Sequence, residues 1–295
     1  MKMRKMVFNI LMLTVAVVFT ACRNTPAPPA ASNDQDATEF DDSENATATS
    51  NETTTADERP TTSTQTGITQ YELPAPLTDR PEKIIKREGF TISYNKTTKT
   101  PNWVAWHLTK SHTYGRNLRD EEIFTEDTTV GTPRATDNDY YGSRYDRGHM
   151  CPAGDNKWSN KAMTESFLFT NVCPQNHGLN KYEWNDLEIL CREWAREYGA
   201  VDIVCGPIFE NGTEQKTIGK NKVWVPDAFF KVVLCRKASP KAIGFIYRNE
   251  GRKQLMENAV RTVDEVERIT GIDFFPSLKD DVENRVEADA TLSRW

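Results

Sequence analysis

From Arg23 to Arg80 the chain consists largely of Thr, Ala, Ser, Pro and acidic residues, with no apolar spacing that would give a strand or helix a face to bury. Such a stretch cannot offset the conformational entropy lost on folding, and it reads as a disordered tether. Any hydrophobic core is therefore confined to residues 81–295 of the 295-residue chain. Ahead of the tether, residues 1–22 have the order of an export signal: Lys2, Arg4 and Lys5, a mostly apolar run from Met6 to Phe19, then small residues before Cys22. A permanent membrane span asks for about 20 apolar residues, more than this run supplies.

Phe19-Thr20-Ala21-Cys22 is similar to a lipoprotein cleavage box, with Phe19 where leucine is usual. That implies acylation at Cys22 and a membrane partner through the lipid. The expected location is the bacterial cell envelope, with plain secretion as the alternative. The formal net charge of −6 is unevenly spread: the leader carries +3 and the tether −8, so residues 81–295 are close to neutral at −1. A strongly basic domain that holds nucleic acid by charge alone is excluded, and any nucleic-acid site must be a local patch.

Five cysteines follow Cys22, at positions 151, 173, 191, 205 and 235. In an oxidising compartment an odd number leaves at least one without an intramolecular partner. Cys205 and Cys235 fall in strand-like runs suited to bridging, but spacing leaves the pairing open. No CxxC pair or His/Cys spacing suggests zinc.

Within residues 81–295, strand-like and helical stretches mix without a βαβ period, which predicts a single α+β domain. Thr91–Tyr94 and Asn102–Leu108 read as a hairpin. Leu187, Leu190, Cys191, Trp194, Ala195 and Tyr198 make one apolar stripe on a helix spanning Asn180 to Gly199, with Gly199 as its stop. Val201–Phe209, Val223–Leu234 and Ala242–Tyr247 suit central strands. Thr262-Val263-Asp264-Glu265 forms a capping box that opens a last helix ending at Gly271.

The chemistry is concentrated in three segments: Asp146-Arg147-Gly148-His149-Met150-Cys151-Pro152-Ala153, Phe169-Thr170-Asn171-Val172-Cys173-Pro174-Gln175, and Leu179-Asn180-Lys181-Tyr182-Glu183-Trp184-Asn185-Asp186-Leu187-Glu188. Taken one at a time, Asn180 suits a helix cap, Glu188 a solvated surface, and Arg147 a turn partner for Asp146. Together, and with Asn102–Lys110, Arg116-Asn117, Cys205–Glu210 and Thr262–Gly271, they resemble the DNA/RNA non-specific endonuclease family over roughly residues 85–275. The resemblance implies a ββα-metal (His-Me finger) nuclease domain with a central antiparallel sheet flanked by helices. It also implies Mg²⁺, with Mn²⁺ as a substitute, and cleavage of DNA and RNA to 5′-phosphate ends.

Carried over position by position, the resemblance makes His149 the general base and Asn180 the direct metal ligand. Glu188 would act on the metal through water, and Arg116, Arg147 and Asn171 would support them. A neutral imidazole suits the abstraction of a proton from water, and one amide oxygen suits an ion that keeps most of its hydration shell. His107 and His112 are read as structural or surface residues; His177, three residues before Asn180, is left out of the catalytic set; and Cys151 is read as packing or a disulfide partner, near enough to the site to make activity redox-sensitive. The competing reading is a catalytically silent lipoprotein that captures nucleic acid; a delivered toxin would need a further domain. Homodimerisation is left open.

Overall fold

The computed structural model describes residues 70–295 except 211–214 and 238. The expected export signal, Cys22 and most of the tether lie outside the described residues, as does any test of them. Among the described residues no helix is long and apolar enough to cross a membrane.

Three strands come first: β1 (Lys83–Lys86), β2 (Thr91–Asn95) and β3 (Thr100–Thr109). A short helix α1 (Asp137–Tyr140) precedes β4 (Asp146–His149), and α2 (Asn160–Ser166) precedes β5 (Val172–Gln175). A continuous helical stretch follows, made of α3 (His177–Leu179), a π-helical turn (Asn180–Trp184) and α4 (Asn185–Tyr198). Next are β6 (Ala200–Ile208), the small pair β7 (Thr217–Ile218) and β8 (Val223–Trp224), then the long strands β9 (Ala228–Cys235) and β10 (Lys241–Arg248). The chain closes with α5 (Met256–Ala259), β11 (Val260–Arg261), α6 (Val263–Thr270) and α7 (Asp280–Glu287).

Seven strands form one sheet in the order β1-β2-β3-β6-β9-β10-β11, antiparallel at every junction. Its central strands β2, β3, β6, β9 and β10 are largely buried on both faces, and successive side chains take opposite sides. Val104, Trp106 and Leu108 of β3, Val201, Ile203 and Cys205 of β6, and Phe229 and Val233 of β9 share one core with Leu187, Cys191 and Trp194 of α4. Trp103, Ala105, Val204, Phe230, Val232 and Leu234 belong to the other, where Val263 and Val266 of α6 and Val286 of α7 cover them. The α+β architecture is as expected, with helices on both sides of the sheet.

Local chemistry explains where the elements end. Gly199, at φ 88°, takes a backbone conformation that other residues adopt only with strain, and its carbonyl accepts the amide of Lys110. Thr262 and Glu265 form the expected reciprocal capping box. The single strand expected over Val223–Leu234 is instead broken between β8 and β9 at Val225-Pro226-Asp227, because proline has no amide hydrogen to give a central ladder. Residues 70–80, assigned to the tether on composition, depart from that reading: Tyr71, Leu73 and Leu77 pack on the α6/α7 face, and Ala75 donates to the Asp273 carbonyl.

All five cysteines are buried and unpaired. Cys205 and Cys235 do lie on adjacent strands, but Cys205 stands opposite Lys231 and Cys235 opposite Lys241, which rules out a direct bridge.

Candidate active site

The hairpin of β4 and β5 pairs Asp146 with Gln175, Gly148 with Cys173 and His149 with Val172. Gly148 is required by this closeness: a Cβ there would sit 2.5 Å from the Gln175 Cβ. The hairpin then lifts His149 beneath Phe124 and Phe167, whose ring centroids lie 5.0 and 4.8 Å from the imidazole. The residue is 6 % exposed and its Nε2 has no hydrogen-bond partner. Burial, helped by the positive charge of Arg119, pushes its pKa down to about 3. The imidazole is therefore neutral at physiological pH, with an unused nitrogen lone pair or N–H.

Asn180 opens the π-helical turn. Its Nδ2 donates to Asp146 Oδ2 across 2.9 Å, which aligns the carboxamide and leaves Oδ1 without a hydrogen bond from the described residues. His177 Nδ1 lies 3.0 Å from the same Asp146 oxygen. A cap role for Asn180 is excluded, because Asn176 is the residue that caps this helical stretch, accepting the Gly178 amide. One-turn π-helical insertions recur at functional sites, where the wider turn re-aims a side chain.

Glu188 is half-buried on α4, and burial pushes its pKa up to about 7 against the attraction of Lys231, Arg192 and Arg119. Arg192, one turn later, donates to Asp155 Oδ1 at 2.9 Å, and Trp106 Nε1 donates to Asp155 Oδ2 at 3.0 Å. Lys231, wholly buried on β9, stacks its ammonium on Trp184 at 4.4 Å and Trp106 at 5.5 Å, without a hydrogen bond. Trp184 Nε1 in turn donates to the His149 carbonyl at 3.3 Å.

The supporting residues divide. Asn171 is fully buried: Oδ1 accepts the Cys151 amide at 2.9 Å, and Nδ2 donates to the carbonyls of Cys151 and Ser166 at 2.8 Å each. It holds the chain just after His149. Arg147 donates from Nε to Asp137 at 2.7 Å and lies over Phe124 and Tyr140. Arg116 is not brought in; it points to solvent and pairs with Glu121 at 2.8 Å. Arg119, three residues on and also exposed, is the arginine of this loop whose positive charge reaches His149 and Glu188.

His107 pairs with Asp202 and His112 stacks on Trp158, as structural residues do. Cys151 is buried, its thiol pushed well up by burial, which argues against the expected redox sensitivity. Three residues were missed by sequence reasoning. Arg192 carried a signal, standing four residues after Glu188 on the same helix face. Lys231 also did, as a lone charge inside the apolar run Ala228–Leu234. Arg119 carried none. A surface cleft lined by Arg80, Asn102, Trp224 and Arg268 does not include His149, so this cleft does not point to the site.

The donor set fits a hard divalent cation. An amide oxygen on Asn180 and the Glu188 carboxylate offer oxygen donors, and among the described residues no thiolate or imidazole cage of a softer metal is formed here.

A two-stranded hairpin bearing His149 and a following helix bearing Asn180 and Glu188 constitute the ββα arrangement of His-Me finger nucleases. The sequence profile of the DNA/RNA non-specific endonucleases, a family of metal-dependent nucleases, matches residues 66–281, and the chain belongs to that family. It is 37 % identical over 208 residues to the mitochondrial nuclease EXOG of Xenopus laevis, covering 64 % of this chain and 57 % of that protein. It is 34 % identical over 212 residues to mitochondrial endonuclease G of Homo sapiens, covering 65 % and 69 % respectively. The mitochondrial nuclease of Saccharomyces cerevisiae is 32 % identical over 234 residues, covering 72 % and 70 %. A crystal structure of an EndoG/EndoGI complex superposes with a TM-score of 0.64 at 27 % identity, covering 71 % of this chain and 90 % of that one. The chain thus spans little more than half the length of the EXOG relative.

These relatives correct one expectation. They are mitochondrial nucleases, which overturns the expected bacterial cell-envelope location.

Proposed function

We propose that this chain is a magnesium-dependent endonuclease that hydrolyses DNA and RNA without regard to sequence and leaves 5′-phosphate ends. The observation that carries the proposal is the coupling of Asn180 to the His149 hairpin through Asp146, which leaves the amide oxygen without a hydrogen bond from the described residues while the imidazole Nε2 of the same hairpin is unpartnered. Family membership supports the same reading.

In this reading His149 accepts the proton of the attacking water, which its depressed pKa allows at neutral pH. Asn180 would hold Mg²⁺ directly and Glu188 through water; when bound, the ion supplies positive charge to the phosphate and to the departing 3′-oxygen. Arg119 and Arg147 add charge where the phosphorane develops, and their contacts to phosphate carry no base identity, which accounts for the broad substrate range. Asn171 and Trp184 act as positioning residues, Trp184 holding the His149 carbonyl and Asn171 the amide of Cys151 two residues on. Phe124 lies against the imidazole and must shift for water to reach it.

The test is incubation of the protein with supercoiled plasmid and with RNA, in Mg²⁺ or EDTA, beside His149→Ala and Asn180→Ala. Degradation of both substrates that stops with EDTA and in each variant is the expected result. Binding without cleavage by folded protein would sink the proposal and favour nucleic-acid capture.

A further inference from the structure

The sheet face opposite His149 carries a second group of acids. Carboxylate oxygens of Asp264 and Glu267 on α6 and of Glu287 at the end of α7 lie within 4.8 Å of one another. The helices bring them together for a simple reason. Val263, Val266 and Val286 face the sheet, so Asp264 and Glu267, three apart on α6, share the flank next to the end of α7. Glu287 is only 5 % exposed, and its Oε1 has no hydrogen-bond partner. None of the three is in an ion pair with a described basic residue.

The surroundings add further negative charge around the group. Burial first, then Glu267, Glu283, Asp264 and Asp273, push Glu287 up to about 9. Glu267 is pushed up to about 7 by burial despite accepting the Phe274 amide at 2.7 Å. A buried carboxyl oxygen aimed at two more carboxylates, with no donor present, has two ways to be satisfied: a proton or a cation.

We propose that Asp264, Glu267 and Glu287 form a calcium-class divalent-cation site that ties α7 to α6, separate from the nuclease centre. Oxygens bound to one Ca²⁺ at about 2.3–2.6 Å stand no more than about 5 Å apart, and this group already meets that limit. An all-carboxylate protein cage favours Ca²⁺ over Mg²⁺, which prefers to keep several waters. Asp264 is exposed, so water completes the coordination shell from that side. The ion would neutralise charge that α6 and α7 otherwise hold in mutual repulsion.

The experiment uses the full chain in the Asn180→Ala background, so that the nuclease centre does not contribute. Ca²⁺ is titrated into chelator-stripped protein by calorimetry, and thermal melts are recorded with and without Ca²⁺. We expect saturable binding and a rise in Tm of about 5–10 °C at a hundredfold excess over Kd. Asp264→Asn, exposed and harmless to folding, is expected to weaken Kd at least tenfold. Glu287→Gln is expected to abolish the Ca²⁺ response while melting no lower than its parent in chelator, since it removes a buried acid. Absence of any calcium-dependent heat or melting shift would leave the proton as the occupant and overturn the proposal. So would an unchanged shift in Glu287→Gln and Asp264→Asn.

Discussion

Replacing Asn171 by alanine tests whether the segment after His149 is held by one side chain. The change removes three hydrogen bonds at a site of zero exposure and strands the Cys151 amide together with the carbonyls of Cys151 and Ser166. Each buried polar group left unpaired costs about 1–3 kcal/mol, with the amide, which has no second partner, toward the upper end. Part of the carbonyl cost is relieved by relaxation or an entering water, so the sum is about 4 kcal/mol. For a domain of this size each kcal/mol moves Tm by about 2–4 °C, which predicts a drop of about 8–16 °C. Asn171→Asp is the sharper variant. It keeps the oxygen that accepts the Cys151 amide but turns a second oxygen on two carbonyls, and should be no more stable than the alanine variant. Calorimetric melts and nuclease assays well below the lowered Tm would separate stability from positioning. The positioning argument also requires cleavage to fall at least tenfold in protein that is still folded. A melt within about 2 °C of the parent with parental cleavage would refute both parts.

The structure makes further predictions. Arg119→Ala should slow cleavage at least tenfold, as loss of a positive charge whose field reaches the base does, whereas Arg116→Ala should change it less than twofold; the reverse ranking would return Arg116 to the site. His149 has a folded pKa of about 3, well below the about 6.5 expected when unfolded, so its contribution is intact above pH 6.5 and is lost as pH falls toward 3. Urea melts at pH 7 and 4.5 should therefore show the parent losing about 2–3 kcal/mol more than His149→Phe, and equal losses would contradict it. Gly148→Ala should destabilise by about 1–3 kcal/mol, because the new methyl meets the Cβ of the buried Gln175 as well as its flexible end; a neutral urea midpoint would show the hairpin to be looser than described.

Much of this molecule was legible in one dimension. The paired strands around Asn102–Leu108, the apolar stripe ending at Gly199 and the capping box at Thr262 all follow from periodicities a few residues long. The motif residues His149 and Asn180 were legible for a different reason: their types and order carry a family likeness. What failed lay beyond the range of local pattern. Residues 70–80 have a linker's composition, yet Tyr71, Leu73 and Leu77 are enough to anchor them once a sheet face is available.

By itself, then, the sequence determined the elements, the α+β class and the identity of the base and ligand candidates, because backbone periodicity, capping and motif order are local properties. Only the tertiary structure decided that the charge of Arg119 reaches His149 while Arg116 pairs with Glu121, that Asp146 aims the Asn180 amide, that Lys231 lies beneath Trp184, and that Glu287 meets Asp264 and Glu267. Those outcomes depend on the spatial meeting of side chains far apart in the chain, where burial sets protonation and a few ångströms separate a site from a surface charge.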